Sequence, residues 1–246
     1  RSPKLTNLDN VINFNEIFES LGKLKLSVYA PIIYILPSML SKYEDLYDTK
    51  IEGSKSKFKQ ADREKSLQSL MTSNLLKRLE SSVHSFRLTL ERLKNLYTET
   101  LSKINDFNNG KLKDDEFSPL LTENNIDEDD EDLYNTSESI VGGKVKIKLY
   151  DMDLLSWQHD LEIDLKSIEF LLCEMYKITP EYDSKLHDIK SQIDYKINHP
   201  LNINNKKILV FTAFSDTVDY LYQHISSYIY SKHKLHVAKV SGSNNS

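Results

Sequence analysis

Hydroxyl and carboxylate side chains follow a short apolar run near the end of the chain. Ile208-Leu209-Val210-Phe211 leads into a segment with helical periodicity, and the polar residues between the two are Thr212, Ser215, Asp216 and Thr217. Ser215 or Asp216 can cap that helix, because a short polar side chain accepts a hydrogen bond from a free N–H of the first turn. The remaining N–H groups, with Thr212 beside them, can hold a phosphate.

Other patterns that carry chemistry are absent or weak in the sequence. No G-x-x-x-x-G-K-[ST] phosphate loop occurs. The acidic run Asp127–Asp132 has the composition of a metal-binding box, but it does not follow an apolar strand, so we interpret it as a solvated loop. The following histidines have no partnering carboxylate pattern and are interpreted as surface residues: His84, His159, His224 and His233. The sequence therefore predicts no metal site.

The run Lys206–Leu221 resembles the opening strand and first helix of the second RecA-like lobe in superfamily-two helicases, especially the Swi/Snf-like branch. In that family the strand ends in Phe-Thr or Phe-Ser, and an aromatic residue, Asp-Thr and a helix bearing Tyr-Leu follow. The matching positions are Phe211, Thr212, Phe214, Asp216, Thr217, Tyr220 and Leu221. Val240-Ser241-Gly242 resembles the end of the family's next strand. The resemblance implies nucleic-acid contact at Thr212, Phe214, Ser215, Asp216, Thr217 and Gly242.

A second segment, Leu75–Leu93, resembles a part of bacterial Swi/Snf-like helicases that lies between the two lobes. The family pattern is Lys-Arg-Leu-x-Ser-Ser, followed by an aromatic residue and Thr-Leu. It implies nucleic-acid contact at Lys77, Arg78, Ser81 and Ser82. The alternative is a coiled-coil helix whose basic residues merely face solvent. The two resemblances cover roughly residues 60–95 and 206–243.

The resemblance implies a fragment of an ATP-dependent nucleic-acid helicase or translocase, with DNA expected ahead of RNA as its partner. The family's phosphate-binding Lys and Mg²⁺-binding Asp-Glu belong to the first lobe and would precede residue 1. Its arginine finger, at the end of the second lobe, would follow residue 246. ATP and Mg²⁺ are thus expected in the full-length protein and no cofactor in this chain, which we expect to lack ATPase activity and to brace the two lobes.

Two alternatives from other classes remain open at this point. One is a helical scaffold whose amphipathic helices bind partner helices. The other is a non-specific nucleic-acid-binding module without a motor, which would hold a duplex with an affinity that falls steeply with salt.

Apolar periodicity predicts a mainly α fold, with long helices packed as an antiparallel, coiled-coil-like bundle. The clearest stripe lies on a single helix expected from Arg63 to Phe107, and its members are Leu76, Leu79, Val83, Phe86, Leu90, Leu93, Tyr97 and Ile104. Further stripes from Leu154 to Met175 and from Tyr182 to Ile197 provide partners. The alternation Lys144–Leu149 is compatible with one short strand that has no obvious neighbour.

The end of the chain predicts a small, incomplete α/β piece. Strands Ile208–Phe211 and Leu235–Val240 would flank a helix from Phe214 to Tyr230, and the first strand would be buried on both faces. The expected domains are a helical insertion over residues 1–200, with an acidic loop at 114–143, and the beginning of the second RecA-like lobe over 206–246.

Charge is distributed unevenly along a chain of net charge −5. Lys50–Lys94 holds eleven basic and five acidic residues, a local +6, whereas Asp114–Glu138 holds eleven acids and no base. The basic segment suits phosphates, and the acidic one can mask it. Cys173 is alone, which excludes an internal disulfide, and we expect it to be a small core residue on a helix. No apolar run reaches the roughly 20 residues of a membrane span, so we expect a cytoplasmic protein without membrane contact.

Overall fold

The computed structural model describes residues 4–50, 57–58, 60–111, 116–117, 146–203 and 205–241. These ranges confirm the mainly α fold. They contain seven α-helices: α1 Phe14–Gly22, α2 Leu40–Tyr47, α3 Gln60–Ser81, α4 Val83–Asn108, α5 Leu154–Tyr176, α6 Ser184–Asn198 and α7 Ser215–His233. Short 3₁₀ turns at Ser27–Tyr29, Pro31–Tyr34 and Leu149–Asp151 complete the helical structure of these ranges. None of these helices carries an apolar stretch long enough to cross a membrane.

Polar side chains fix where two of the helices, α1 and α6, begin. Asn13 accepts hydrogen bonds from the Asn15 and Glu16 N–H groups, and the Glu16 carboxylate accepts the Asn13 N–H at 2.7 Å. This reciprocal pair is a capping box, and it satisfies donors that the first turn of α1 leaves free. Asp183 caps α6 in a similar way by accepting the Leu186 N–H at 3.0 Å. Local sequence therefore sets both helix starts.

The single helix expected from Arg63 to Phe107 is interrupted at Ser82, which separates α3 from α4. The Ser82 hydroxyl accepts the Ser85 N–H at 3.0 Å, so it caps the second helix. The heptad spacing continues through this break, which explains why apolar periodicity alone missed it. The stripe itself is buried at Leu79, Val83, Phe86, Leu90, Leu93, Tyr97 and Ile104.

The chain divides into two compact units. The central unit comprises Ser20–Asn74 and Leu90–Phe170. The terminal unit comprises Arg1–Glu19, Leu75–Thr89 and Leu171–Ser246. The family-based domains, 1–200 and 206–246, stay a prediction.

Within the central unit, α4 and α5 run antiparallel, as the apolar stripes predicted. Lys94 pairs with Glu169 at 3.1 Å, and the Tyr97 hydroxyl donates to Asp164 at 3.0 Å, so one residue number falls as the other rises. Asp164 is fully buried and also accepts the backbone N–H groups of Lys25 and Ser27. This carboxylate therefore holds the Lys25–Ser27 turn against both helices.

Two short antiparallel strand pairs also belong to the central unit. Ile147–Lys148 pairs with Glu116–Phe117, so the alternating segment does have a neighbour, which comes from the acidic part of the sequence. Thr49–Lys50 pairs with Lys57–Phe58. The remainder of the acidic loop, including Asp127–Asp132, lies outside the described residues.

Within the terminal unit, α6 and α7 run parallel rather than antiparallel. The Tyr220 hydroxyl donates to Asp183 at 2.9 Å, and His233 contacts Asp194 at 2.6 Å, so both residue numbers rise together. The helix α6 has fifteen residues and is therefore roughly 22 Å long. Because α7 runs parallel to it, the connection over residues 199–214 must return across about this distance. The core between the helices contains Leu186, Ile193, Ile197, Tyr220, Ile225 and Ile229.

The expected strand at Ile208–Phe211 is not buried on both faces. Ile208 packs on the core of α6 and α7, but Leu209 and Phe211 are 83% and 88% exposed. Leu235 and Val237 pack on the same core. One side of each segment is thus covered, and no described residue forms a strand ladder with either segment. The βαβ arrangement therefore stays a prediction.

Two further expectations about single residues were wrong. Cys173 is exposed on α5 rather than buried, because it lies between the buried positions of the stripe. Tyr182, the first member of the third stripe, is 48% exposed because α6 begins only at Ser184.

Glu64 in the central unit predicts a pH-dependent stability. Its side chain is buried, where it accepts the Ile32 N–H at 2.9 Å, and burial raises the pKa of this carboxyl to about 8. The folded protein therefore keeps a proton that the unfolded chain loses above its ordinary pKa of 4.5. The free energy of unfolding should fall as pH rises from 4.5 to about 8, by an amount on the order of 4 kcal/mol.

We expect Glu64→Gln to remove this pH dependence, because an amide supplies the same acceptor without ionising. Urea unfolding at both ends of this pH range, followed by the fluorescence of Trp157, measures it; this is the only tryptophan and is buried in the same unit. Glu99→Gln, an exposed change on α4, is the matched control. Equal pH dependence in both variants would contradict the assignment.

Candidate functional site

The two segments that resemble the helicase family meet within the terminal unit. Arg78, in the last turn of α3, forms an ion pair with Asp216, in the first turn of α7, at 2.9 Å. The two residues are separated by 138 positions in sequence. The contact therefore brings together two motifs that the sequence presents far apart.

Arg78 is buried to an unusual degree for an arginine, with 1% of its surface exposed. The same terminal nitrogen that contacts Asp216 also donates to the Ser85 hydroxyl at 3.1 Å. The guanidinium lies over the Phe214 ring, 4.4 Å from its centroid. A buried ion pair repays its desolvation only when its hydrogen bonds are well made, and an aromatic face adds further attraction for the cation.

A cluster of four hydroxyl groups lies beside this ion pair. The Ser81 oxygen is 2.8 Å from the Thr217 hydroxyl and 3.3 Å from the Thr212 hydroxyl. The Ser82 hydroxyl is 3.1 Å from that of Thr217. Because each hydroxyl can both donate and accept, the four groups form a connected network between the α3–α4 break and the start of α7.

The residue that precedes α7 is Phe214, so the expectation that Ser215 or Asp216 would cap this helix was wrong. Phe214 has extended backbone angles, its carbonyl accepts the Thr217 N–H at 3.1 Å, and it forms no side-chain cap. Because Phe214 is the cap and α7 begins at Ser215, both Ser215 and Asp216 lie inside the first turn. A carboxylate in the first turn is stabilised by the positive end of the helix dipole. Asp216 in addition pairs with Arg78.

A cleft of about 350 Å³ opens beside the hydroxyl cluster. Ser81, Thr212 and Thr217 contribute hydroxyl groups to its wall, and Phe211 and Leu186 contribute apolar surface. Its cations are Lys77 and Lys185, and its acids are Glu80 and Asp183, so the lining carries charges of both signs. Lys77 is exposed, and the Lys185 ammonium group contacts the backbone carbonyl of Glu80.

Asp183 is the buried acid of this wall, and its carboxylate is engaged by hydrogen bonds within the unit. Asp183 is 2% exposed; it caps α6 and accepts the Tyr220 hydroxyl at 2.9 Å. Burial, and then the nearby Asp183 carboxylate, raises the pKa of Tyr220 well above its ordinary value, so the phenol stays a donor. The His84 ring stacks on Tyr220 with centroids 4.8 Å apart. The interpretation of His84 as a surface histidine was therefore incomplete.

The structure describes nine of the ten residues singled out by resemblance, all in the terminal unit; Gly242 lies outside the described residues. Lys77 is exposed. Those partly buried are Ser81, Thr212, Ser215 and Asp216, and those buried are Arg78, Ser82, Phe214 and Thr217. Nucleic-acid contact at these positions stays a prediction.

Sequence reasoning missed three residues that complete the site: Ser85, Asp183 and Lys185. Asp183 carried a recognisable signal, because an Asp three residues before Leu186, the first buried member of the stripe, is typical of a helix start. The sequence also did not indicate the partner of His233, because Asp194 belongs to a different helix. Among the described residues, no three metal-ligating side chains gather at one point.

Comparisons with protein families, with curated proteins and with solved structures find no match for this chain.

The hydroxyl cluster predicts a measurable contribution of Thr217. This residue is 3% exposed and bonds to both Ser81 and Ser82. Thr217→Val keeps the shape of the side chain but removes one hydrogen bond from each of these two partners, so we expect a loss of about 1–2 kcal/mol in the free energy of unfolding. Thermal unfolding followed by circular dichroism measures it, with the exposed Thr98→Val on α4 as control. An equal, small effect of both variants would show that the cluster contributes nothing.

Proposed function

We propose that this chain is part of an ATP-dependent nucleic-acid helicase or translocase of the Swi/Snf-like class, in which it contacts the nucleic-acid backbone and braces the motor lobes. One observation supports the proposal above all. Two segments that resemble the same family, and that lie far apart in the sequence, are joined by the Arg78–Asp216 ion pair and by the hydroxyls of Ser81, Ser82 and Thr217. A chance resemblance at either segment would not require them to touch.

The chemistry of the cleft suits a phosphate of a nucleic-acid strand. Hydroxyls such as that of Thr212 donate to phosphate oxygens, and an exposed lysine such as Lys77 supplies positive charge. Contacts of this kind fix the register of a strand without reading its bases. We therefore propose sequence-independent binding, with DNA ahead of RNA as the partner.

By the same resemblance, the ATP-binding residues belong to other segments of the parent polypeptide. Phosphoryl transfer needs a phosphate cradle, a metal ion and a charge-neutralising arginine together. We propose that ATP and Mg²⁺ act in the full-length protein, while this chain hydrolyses no ATP by itself. Reading the parent gene for a phosphate loop and an arginine-finger motif tests this part of the proposal.

Lys77 provides the direct test of nucleic-acid contact. Fluorescence anisotropy with a short labelled DNA duplex, at salt concentrations from about 50 mM to about 200 mM, gives the slope of log affinity against log salt. We expect the wild-type chain to bind with a clear negative slope. Lys77→Gln should weaken binding and make the slope shallower by about 0.9, because one phosphate contact is lost.

The matched control is Lys103→Gln, which removes an exposed lysine of α4 in the central unit. It should leave the slope unchanged. If the wild-type chain retains no duplex and instead forms oligomers with rising concentration, the scaffold hypothesis replaces the proposal. If the duplex is bound but the parent gene encodes no ATPase lobe, the chain is a binding module without a motor.

A further inference from the structure

Arg78 combines two properties that rarely occur together in a residue that contacts nucleic acid. It belongs to the motif that resembles a helicase segment, yet 1% of its surface is exposed. A phosphate contact requires guanidinium N–H groups at the surface, and here the guanidinium is engaged by Asp216 and Ser85 and covered by the Phe214 ring. Arg78 must therefore contribute in another way.

We infer that Arg78 is a positioning residue, which holds the turn from Thr212 to Thr217 in the conformation that presents the partly exposed Thr212 hydroxyl to a nucleic-acid phosphate. This inference deepens the proposed function and rests on it. The guanidinium contacts the turn at two points, because it pairs with Asp216 near one end and stacks on Phe214 in the middle.

The end of α3 contacts the turn through Ser81 as well as through Arg78. Arg78 lies in the last turn of α3, and three residues later the Ser81 hydroxyl contacts both Thr212 and Thr217. The end of α3 therefore holds the turn through the ion pair and through hydroxyl contacts at both Thr212 and Thr217. Because the Thr212 hydroxyl is the acceptor for the Phe214 N–H at 3.3 Å, displacement of Phe214 would also move Thr212.

Lysine cannot replace arginine in this role. Its single ammonium group cannot lie flat on the Phe214 ring while bridging Asp216 and Ser85, although its charge is the same. Arg78→Lys therefore keeps the net charge of the chain and removes the geometry. Asp216→Asn changes the other end of the pair with little change in volume.

The first arm of the test is amide hydrogen exchange, which requires no ligand. In Arg78→Lys and in Asp216→Asn we expect faster exchange in peptides that cover the Thr212–Thr217 turn, with unchanged protection of α6. Faster exchange throughout the terminal unit would mean loss of folding rather than loss of positioning. Unchanged exchange of the turn in both variants would overturn the inference.

The second arm is the salt dependence of duplex affinity, with a labelled DNA duplex as the probe. Arg78→Lys should lower affinity several-fold at every salt concentration, because the turn loses its position, and leave the slope at the wild-type value, because no cation that neutralises a phosphate is lost. Lys77→Gln serves as the comparison whose slope does change. A shallower slope in a matched Arg78→Met variant, equal to that of Lys77→Gln, would identify Arg78 as a direct phosphate contact and overturn the inference.

The two arms separate the inference from the proposed function. If the wild-type chain binds no duplex at any salt concentration, the proposed function fails and the nucleic-acid role of Arg78 fails with it. The exchange experiment still decides whether Arg78 fixes the turn. If the duplex is bound and the turn is insensitive to Arg78→Lys, only the inference fails.

Discussion

The candidate site in the terminal unit depends on one ion pair, between the buried Arg78 and the partly buried Asp216. Removing a guanidinium from water is costly, and the cost is offset only while its carboxylate, hydroxyl and aromatic partners stay in position. The pair thus restricts the relative positions of the segments that carry its partners. The end of α3, the start of α7 and the turn that precedes α7 are held in a single arrangement.

The central unit uses a buried carboxylate in a comparable way. Asp164 is fully buried without a cationic partner among its described contacts, and it is satisfied by backbone N–H groups and by the hydroxyls of Ser27 and Tyr97. Trp157, on the same helix, donates its indole N–H to the Ser27 carbonyl at 3.1 Å. In both units a buried polar group selects one packing of helices whose apolar stripes alone would permit several registers.

Much of the helical structure could be predicted, because apolar spacing is a local property of the sequence. The stripes of α4, α5 and α6 indicated which faces are buried. The break at Ser82 could not be predicted, since a serine in a helical pattern reveals neither its cap nor its partner Thr217. The parallel course of α6 and α7 depends on contacts such as His233–Asp194, which join distant residues.

In the candidate site, too, contacts between distant residues could not be predicted from local sequence. Resemblance singled out Arg78 and Asp216 separately, but nothing local in the sequence indicated that they touch or that Arg78 is buried. Burial of Ile208–Phe211 on both faces was expected from its composition, yet composition cannot supply the second layer that such burial requires, and Leu209 and Phe211 are exposed. Contacts between distant segments, and the burial that follows from them, are what the sequence did not contain.

A double-mutant cycle on Arg78→Met and Asp216→Asn tests the central claim most directly. The free energy of unfolding of the wild type, both single variants and the double variant gives the coupling energy between the two side chains. A buried, hydrogen-bonded pair predicts a coupling above about 1 kcal/mol, with the double variant much less destabilised than the sum of the singles. Additive effects would show that the two side chains do not interact, and the joined site would not exist as described.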